Sequence, residues 1–373
     1  MKKILGCLIV FTILFSGCKS NNVSSTKADH TTPRNFKVLY DGKTLLVSVP
    51  NSQKLEGYGE PKFIKNDRSI YQISDNYSAG TEVILAFGSE KKKFKISGLA
   101  SSSQPGKNVS DIFARVGSYG FPLKDLKIYT HKYTYQRNQI LKDIMTHSTE
   151  ANAIAMMSNM KPTFGHETVH GINAQLSSDG GFGAQGPFNR GFFLAGTGQG
   201  VLIKRVAFSK ASVGAFVPQS LRNSRFKTYI TSSDWADQPY YLWDEWFAYQ
   251  AGALVDLKSI EQKLPRDSSL RGYMMGPIEF IPYAVAVGMA SNGAVAADQQ
   301  AVALMRYGIE LSLAILNEAR AYSQYVDLHE PFRVIRVLQK DSNAEAMRQY
   351  LKQLYGEAWY SAAIGNLDAS FGN

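Results

Sequence analysis

Residues 166–170 read His-Glu-Thr-Val-His, and this pentapeptide constrains the fold more than any other stretch of the chain. For His166 and His170 to act together they must lie one turn apart, because positions i and i+4 share a face of an α-helix. The pattern therefore predicts a helix with both imidazoles turned to one tetrahedral Zn²⁺. Glu167, between them, would reach a water on that zinc and take its proton. Pro162 suits the first turn of such a helix, and Val169, Ile172 and Leu176 form its expected buried stripe. A catalytic zinc needs a third protein ligand and an open position. No histidine lies between His170 and His329, so a downstream carboxylate is required.

Glu245 is the best candidate. It sits in Tyr-Leu-Trp-Asp-Glu-Trp-Phe-Ala-Tyr-Gln-Ala-Gly, residues 241–252, which reads as a helix. Glu245, Ala248 and Gly252 share one face of it. Small residues there would let this helix lie close against the histidine helix, within reach of the metal. Asp244 is expected to point about 100° away from that face. Asp234 and Asp237 fall in a predicted loop, and Glu261 and Glu279 lack a small-residue face.

HETVH followed by E-x-x-A on a later helix resembles the gluzincin branch of zinc metallopeptidases, over about residues 161–256. The resemblance implies a zincin-like α+β catalytic domain, with His166, His170 and Glu245 as zinc ligands and Glu167 as general base. Many members place an acidic residue four positions after the third ligand, where this chain has Tyr249. Asn173 and Leu176 occupy the positions where a metzincin would have Gly and His, which excludes that class. Phe192–Leu194 and Val201–Ile203 are expected to pair across a turn at 196–200. In this class an exposed edge strand commonly holds the peptide substrate. The Gly-rich stretches 179–186 and 196–200 lack phosphate-loop or dinucleotide signatures and read as turns. Tyr240, Tyr241, Tyr249, His147 and Arg222 are open candidates for stabilising an oxyanion, and the substrate-binding residues are unknown. Trp235, Trp243 and Trp246 read as packing.

The chain opens with Met1-Lys2-Lys3, then an uncharged, mostly apolar stretch over 4–15, then Leu14-Phe15-Ser16-Gly17-Cys18. The apolar stretch is too short to span a bilayer, which needs about 20 residues, but has signal-peptide length. The ending resembles a bacterial lipobox. That implies a signal peptide over 1–17, lipid on Cys18 and attachment to the membrane of the bacterial cell envelope. Lys19 leans that expectation towards the outer membrane. Cys7 would be removed, leaving no thiol pair for a disulfide.

Residues 18–34 are polar and read as a tether. Alternating apolar residues predict a small all-β domain over 35–98. Leu99–Lys107 is a linker signal, and 108–373 is the metallopeptidase domain. Within it, helices are expected over 136–160, 241–264, 278–325 and 343–366, and strands over 190–230. Phe280–Ala297 carries no charge, yet Pro282, Gly288, Asn292 and Gly293 predict a buried, broken helix rather than a membrane span.

With 41 Lys+Arg against 31 Asp+Glu the formal charge is +10, but the basic residues are dispersed. The densest run, Lys91–Lys93, reads as a solvated strand or turn, so no nucleic-acid partner is expected. A 44% hydrophobic and 12% aromatic composition excludes a disordered chain. The expected function is a zinc-dependent metalloprotease acting on a protein or peptide substrate. A zinc hydrolase of cell-wall peptides and a non-catalytic binding lipoprotein are the alternatives.

Overall fold

In the computed structural model the described residues are the strands between 37 and 95, then 105–149, 161–179, 189–232, 238–265 and 272–368, apart from 133, 134, 136 and 207. The expected signal peptide, Cys18, the tether, residues 150–160, the loop 180–188, Asp234, Trp235 and Asp237 lie outside them.

The apolar alternation before residue 98 forms strands β1 (Lys37–Tyr40), β2 (Leu45–Pro50), β3 (Phe63–Lys65) and β4 (Arg68–Ile73). They make an antiparallel sheet of order β1-β2-β4-β3. β5 (Glu82–Phe87) and β6 (Glu90–Lys95) form a hairpin that sets Lys91, Lys92 and Lys93 opposite Ala86, Leu85 and Ile84.

Helices dominate the rest. β7 (Leu123–Asp125) precedes α1 (Gln139–Thr146), whose first turn is capped by Asn138 accepting from the Leu141 amide at 3.0 Å. Then come α2 (Lys161–Asp179), β8 (Asn189–Leu194), β9 (Gln199–Lys204), α3 (Tyr241–Glu261), α4 (Met275–Ala290), α5 (Gln299–Ala319), α6 (His329–Lys340) and α7 (Glu345–Tyr355). β7, β9 and β8 form an antiparallel sheet in that order. Phe192 pairs with Val201 across a turn whose Gly196 and Gly198 have φ of 93° and 69°, which favours glycine.

One expectation is corrected. Past Lys204, the residues from 211 to 231 form short helical turns rather than strands: Ala211–Gly214, Gln219–Leu221, Ser224–Phe226 and the π-helical turn Lys227–Thr231. Side chains stabilise these turns locally, as where Asn223 accepts from the Phe226 amide and Arg222 donates to the Val217 and Gly214 carbonyls. The helical stretch 278–325 carries the expected break. Asn292 and Gly293 take positive φ after α4, and Asp298 caps α5 by accepting from the amides of Gln300 and Ala301. The stretch 343–366 is helical as expected, with Gly356, at φ of 88°, ending α7 before further helical turns at Glu357–Tyr360 and Ser361–Gly365.

The core gathers around α3, α4 and α5, where Trp243, Trp246, Phe280, Tyr283 and Tyr307 are fully buried. The two indoles act as packing residues with satisfied N–H groups: Trp243 donates to the Ala284 carbonyl and Trp246 to that of Pro277. Among the described residues no helix is long and apolar enough to cross a membrane. The described chain is thus mostly helical with small antiparallel sheets, an α+β arrangement.

Candidate metal centre

α2 and α3 pack closely because small residues meet at their crossing. A Cβ on Gly252 would lie 2.8 Å from the Pro162 carbonyl oxygen, and one on Gly165 would lie 3.3 Å from Val255 Cγ2. Ala248 is fully buried, and so are Val169, Ile172 and Leu176 of the expected stripe. This contact brings the face of α3 that carries Glu245 against the histidine face of α2.

The ligand atoms converge. His166 Nε2 lies 3.1 Å from His170 Nε2 and 3.4 Å from Glu245 Oε2, and His170 Nε2 lies 3.5 Å from Glu245 Oε1. Tetrahedral bonds of about 2.0–2.1 Å put neighbouring ligand atoms about 3.3 Å apart. The three separations are close to that spacing, with the Glu245 carboxylate turning a different oxygen to each histidine. Glu245 Oε2 and His166 Nδ1 are buried without a hydrogen-bond partner, a costly arrangement for a structural cluster. For Glu245 Oε2, a cation between the three side chains removes that cost. The cluster can hold a metal ion.

A layer of supporting groups fixes these ligands. His170 Nδ1 donates to Asp244 Oδ2 at 2.8 Å, which leaves Nε2 as the ring nitrogen facing the cluster. Asp244 in turn accepts from Asn173 Nδ2 at 2.6 Å and pairs with Arg190 at 3.1 Å. Tyr241 donates its hydroxyl to Glu245 Oε1. Asp244 is thus a correction: it faces α2 and supports a ligand, instead of pointing away. α2 runs along α3 from Val255 and Gly252 back to Asp244, so Asp244 meets the turn with His170 and Asn173 while Glu245 meets His166 and His170. Two adjacent carboxylates in the apolar run Leu-Trp-Asp-Glu-Trp-Phe were the available signal, since both need partners once buried.

Charge follows this geometry. Burial pushes the His170 imidazole down, but the hydrogen bonds and charges of Asp244 and Glu245 prevail and hold it up at about 10 in the metal-free protein. Burial likewise raises Glu245, yet the adjoining His166 and His170 imidazoles and the Tyr241 hydroxyl pull it down to about 2.

Glu167 is exposed, with Oε1 4.0 Å from His166 Nε2, at the open side of the triangle. The Tyr249 ring stands edge-on to His166, 4.4 Å between centroids. Its hydroxyl is 2.9 Å from that of Tyr229, and the Arg225 guanidinium lies 4.7 Å over its ring. Arg225 also pairs with buried Glu279 at 2.9 Å. Sequence reasoning missed Tyr229, Arg225 and Arg190, which reach the site only through tertiary packing.

Three of the five oxyanion candidates are engaged elsewhere. Tyr240 packs on Phe192 and Trp243, His147 contacts Asp143 and the Lys127 carbonyl, and Arg222 binds backbone carbonyls. The outer edge of β8 is also taken, another correction: the Gly191 amide donates to Ser177 Oγ at 2.8 Å and the Phe193 amide to Asn173 Oδ1 at 2.6 Å. Substrate strand addition at these two positions is therefore excluded.

No family model, curated protein or solved structure matches the chain.

Proposed function

We propose that the protein is a zinc-dependent peptidase of gluzincin type, with a zincin-like catalytic domain carried on an envelope lipoprotein anchored through Cys18. The observation that carries this reading is the convergence of His166, His170 and the Glu245 carboxylate, with separations of 3.1, 3.4 and 3.5 Å, beside an exposed Glu167. Two imidazoles and one carboxylate are the donor set of a hydrolytic zinc site. When bound there, zinc supplies Lewis-acid polarisation of a peptide carbonyl and of an attacking water. Glu167 takes a proton from that water on one carboxylate oxygen and delivers it to the leaving amine. Asp244 holds His170 in the tautomer that offers Nε2, and Tyr241 orients Glu245. The hydrogen-bonded Tyr229–Tyr249 hydroxyl pair supplies one donor on the His166 side for charge developing on the carbonyl oxygen.

Metal analysis of purified protein tests the ligand set, with one equivalent of zinc expected in the wild type and a loss of it in Glu245→Ala. A Glu167→Gln variant should keep zinc while losing peptide hydrolysis. If Glu245→Ala holds zinc as tightly as the wild type, the reading falls.

A further inference from the structure

A cleft of about 1000 Å³ opens beside β7 and β9 and the start of α5, lined in part by Lys124, Lys204, Arg205, Asp298, Leu202 and Val206. Arg205 and Val206 also line a narrow recess together with Arg190 and Tyr241, the residues that hold Asp244 and Glu245. The cleft therefore adjoins the supporting shell of the metal centre. Its charge is net positive, with Lys124, Lys204 and Arg205 against Asp298. Asp298 is committed to capping α5, and Arg205 has a partner of its own. Lys124 and Lys204 are exposed, and among the described residues no hydrogen bond or ion pair engages either ammonium.

We propose that this cleft is a subsite for an acidic segment of a peptide, binding two carboxylates through Lys124 and Lys204 beside the apolar surface of Leu202 and Val206. The proposal rests on the peptidase reading only for its role in substrate selection. Strand register sets the spacing. Lys124 pairs with Gly200 on β9, and Lys204 lies four residues further along that strand. At about 3.4 Å per residue along the strand and about 4.8 Å between strands, the two backbone positions are about 14 Å apart. An extended peptide with acidic side chains at positions i and i+4 spans the same length and presents both on one side. A long polyanion would instead need a continuous basic stripe, whereas here two lysines share a discrete, partly apolar hollow.

The test uses metal-loaded Glu167→Gln protein, full length, and fluorescence anisotropy with two short labelled peptides. One carries Glu at i and i+4, the other Gln at both, with leucine between. The expected result is about tenfold tighter binding of the Glu peptide, shrinking in about 0.5 M salt as exposed charges are screened. That preference should vanish in a Lys124→Gln, Lys204→Gln double variant, whose exposed side chains can change without disturbing the core. Equal binding of the two peptides overturns the subsite, as does a preference that survives the double variant. So does capture of an anionic wall polymer without discrimination between the peptides. If the wild type cleaves neither peptide while the preference and its lysine dependence hold, the subsite stands and the peptidase reading fails.

Discussion

The Nδ1–H of His170 donates to Oδ2 of Asp244 across 2.8 Å, joining the helix that carries the two cluster histidines to the residue just before Glu245. One short stretch of α3 thus supplies both a member of the cluster and the partner that orients another. Arg190 and Asn173 hold that partner in turn.

Asp244→Asn should therefore weaken metal binding without removing any ligand. The loss expected for such an outer partner is about 10–100-fold in affinity, read by competition with a chromogenic chelator. An unchanged affinity would show that the His170 tautomer is set without Asp244.

Metal uptake should be coupled to proton release. His170 is held at about 10 in the metal-free protein, so it carries a proton at neutral pH that the metal must displace. Titration calorimetry at pH 7 in two buffers of different ionisation enthalpy should report about one proton released per metal. The same groups set the stability of the metal-free form. His170 is raised above its unfolded value of about 6.5, so its contribution is complete below that pH and is lost as pH rises towards about 10. Glu245 is depressed, so its contribution is present above about 4.3 and is lost as pH falls towards about 2. Denaturant midpoints of metal-free protein should therefore decline from pH 7 to pH 10, and Asp244→Asn should flatten that decline.

Much of this centre was legible in the sequence because its main parts are local or periodic. HETVH declares its own helix face, and Ala248 and Gly252 mark where a second helix can approach, as the buried crossing with Pro162 bears out. What escaped came from distant packing. The Tyr229–Tyr249 hydroxyl pair joins a π-helical turn to α3, and no spacing along the chain predicts that meeting. Asp244 escaped for a different reason, since its angular offset from Glu245 was weighed without the path of α2. The turns at 211–231 were misread because short apolar runs do not separate strand from helix. The break between α4 and α5, by contrast, is visible in Asn292-Gly293 and in Asp298 as a cap.

Tyr229→Phe should lower turnover with metal content preserved. Burial and the nearby Glu245 carboxylate push the Tyr229 phenol above its usual range, so it stays protonated and able to donate. Removing one donor to a developing oxyanion costs about 10²–10³ in kcat. Steady-state kinetics at saturating zinc, with KM and metal content measured beside kcat, separates this role from damage to the site. A kcat equal to wild type removes Tyr229 from transition-state stabilisation.

Gly252→Ala tests the helix crossing on which the ligand triangle depends. The added methyl would sit 2.3 Å from Tyr273 Cε1 and 2.8 Å from the Pro162 carbonyl oxygen. The tyrosine ring can swing aside, but the carbonyl belongs to the first turn of α2, and moving it shifts the helix that carries both histidines. Ala otherwise favours a helix interior over Gly by about 1 kcal/mol, so propensity and packing oppose each other here. Overpacking of this kind typically costs about 1–3 kcal/mol, and the backbone clash puts the net effect on the destabilising side. Urea unfolding of the metal-free variant should show a lower midpoint at unchanged slope, together with weaker zinc binding as α2 and α3 separate. A variant as stable as wild type, with zinc affinity intact, would mean that the two helices do not need their closest approach at this glycine.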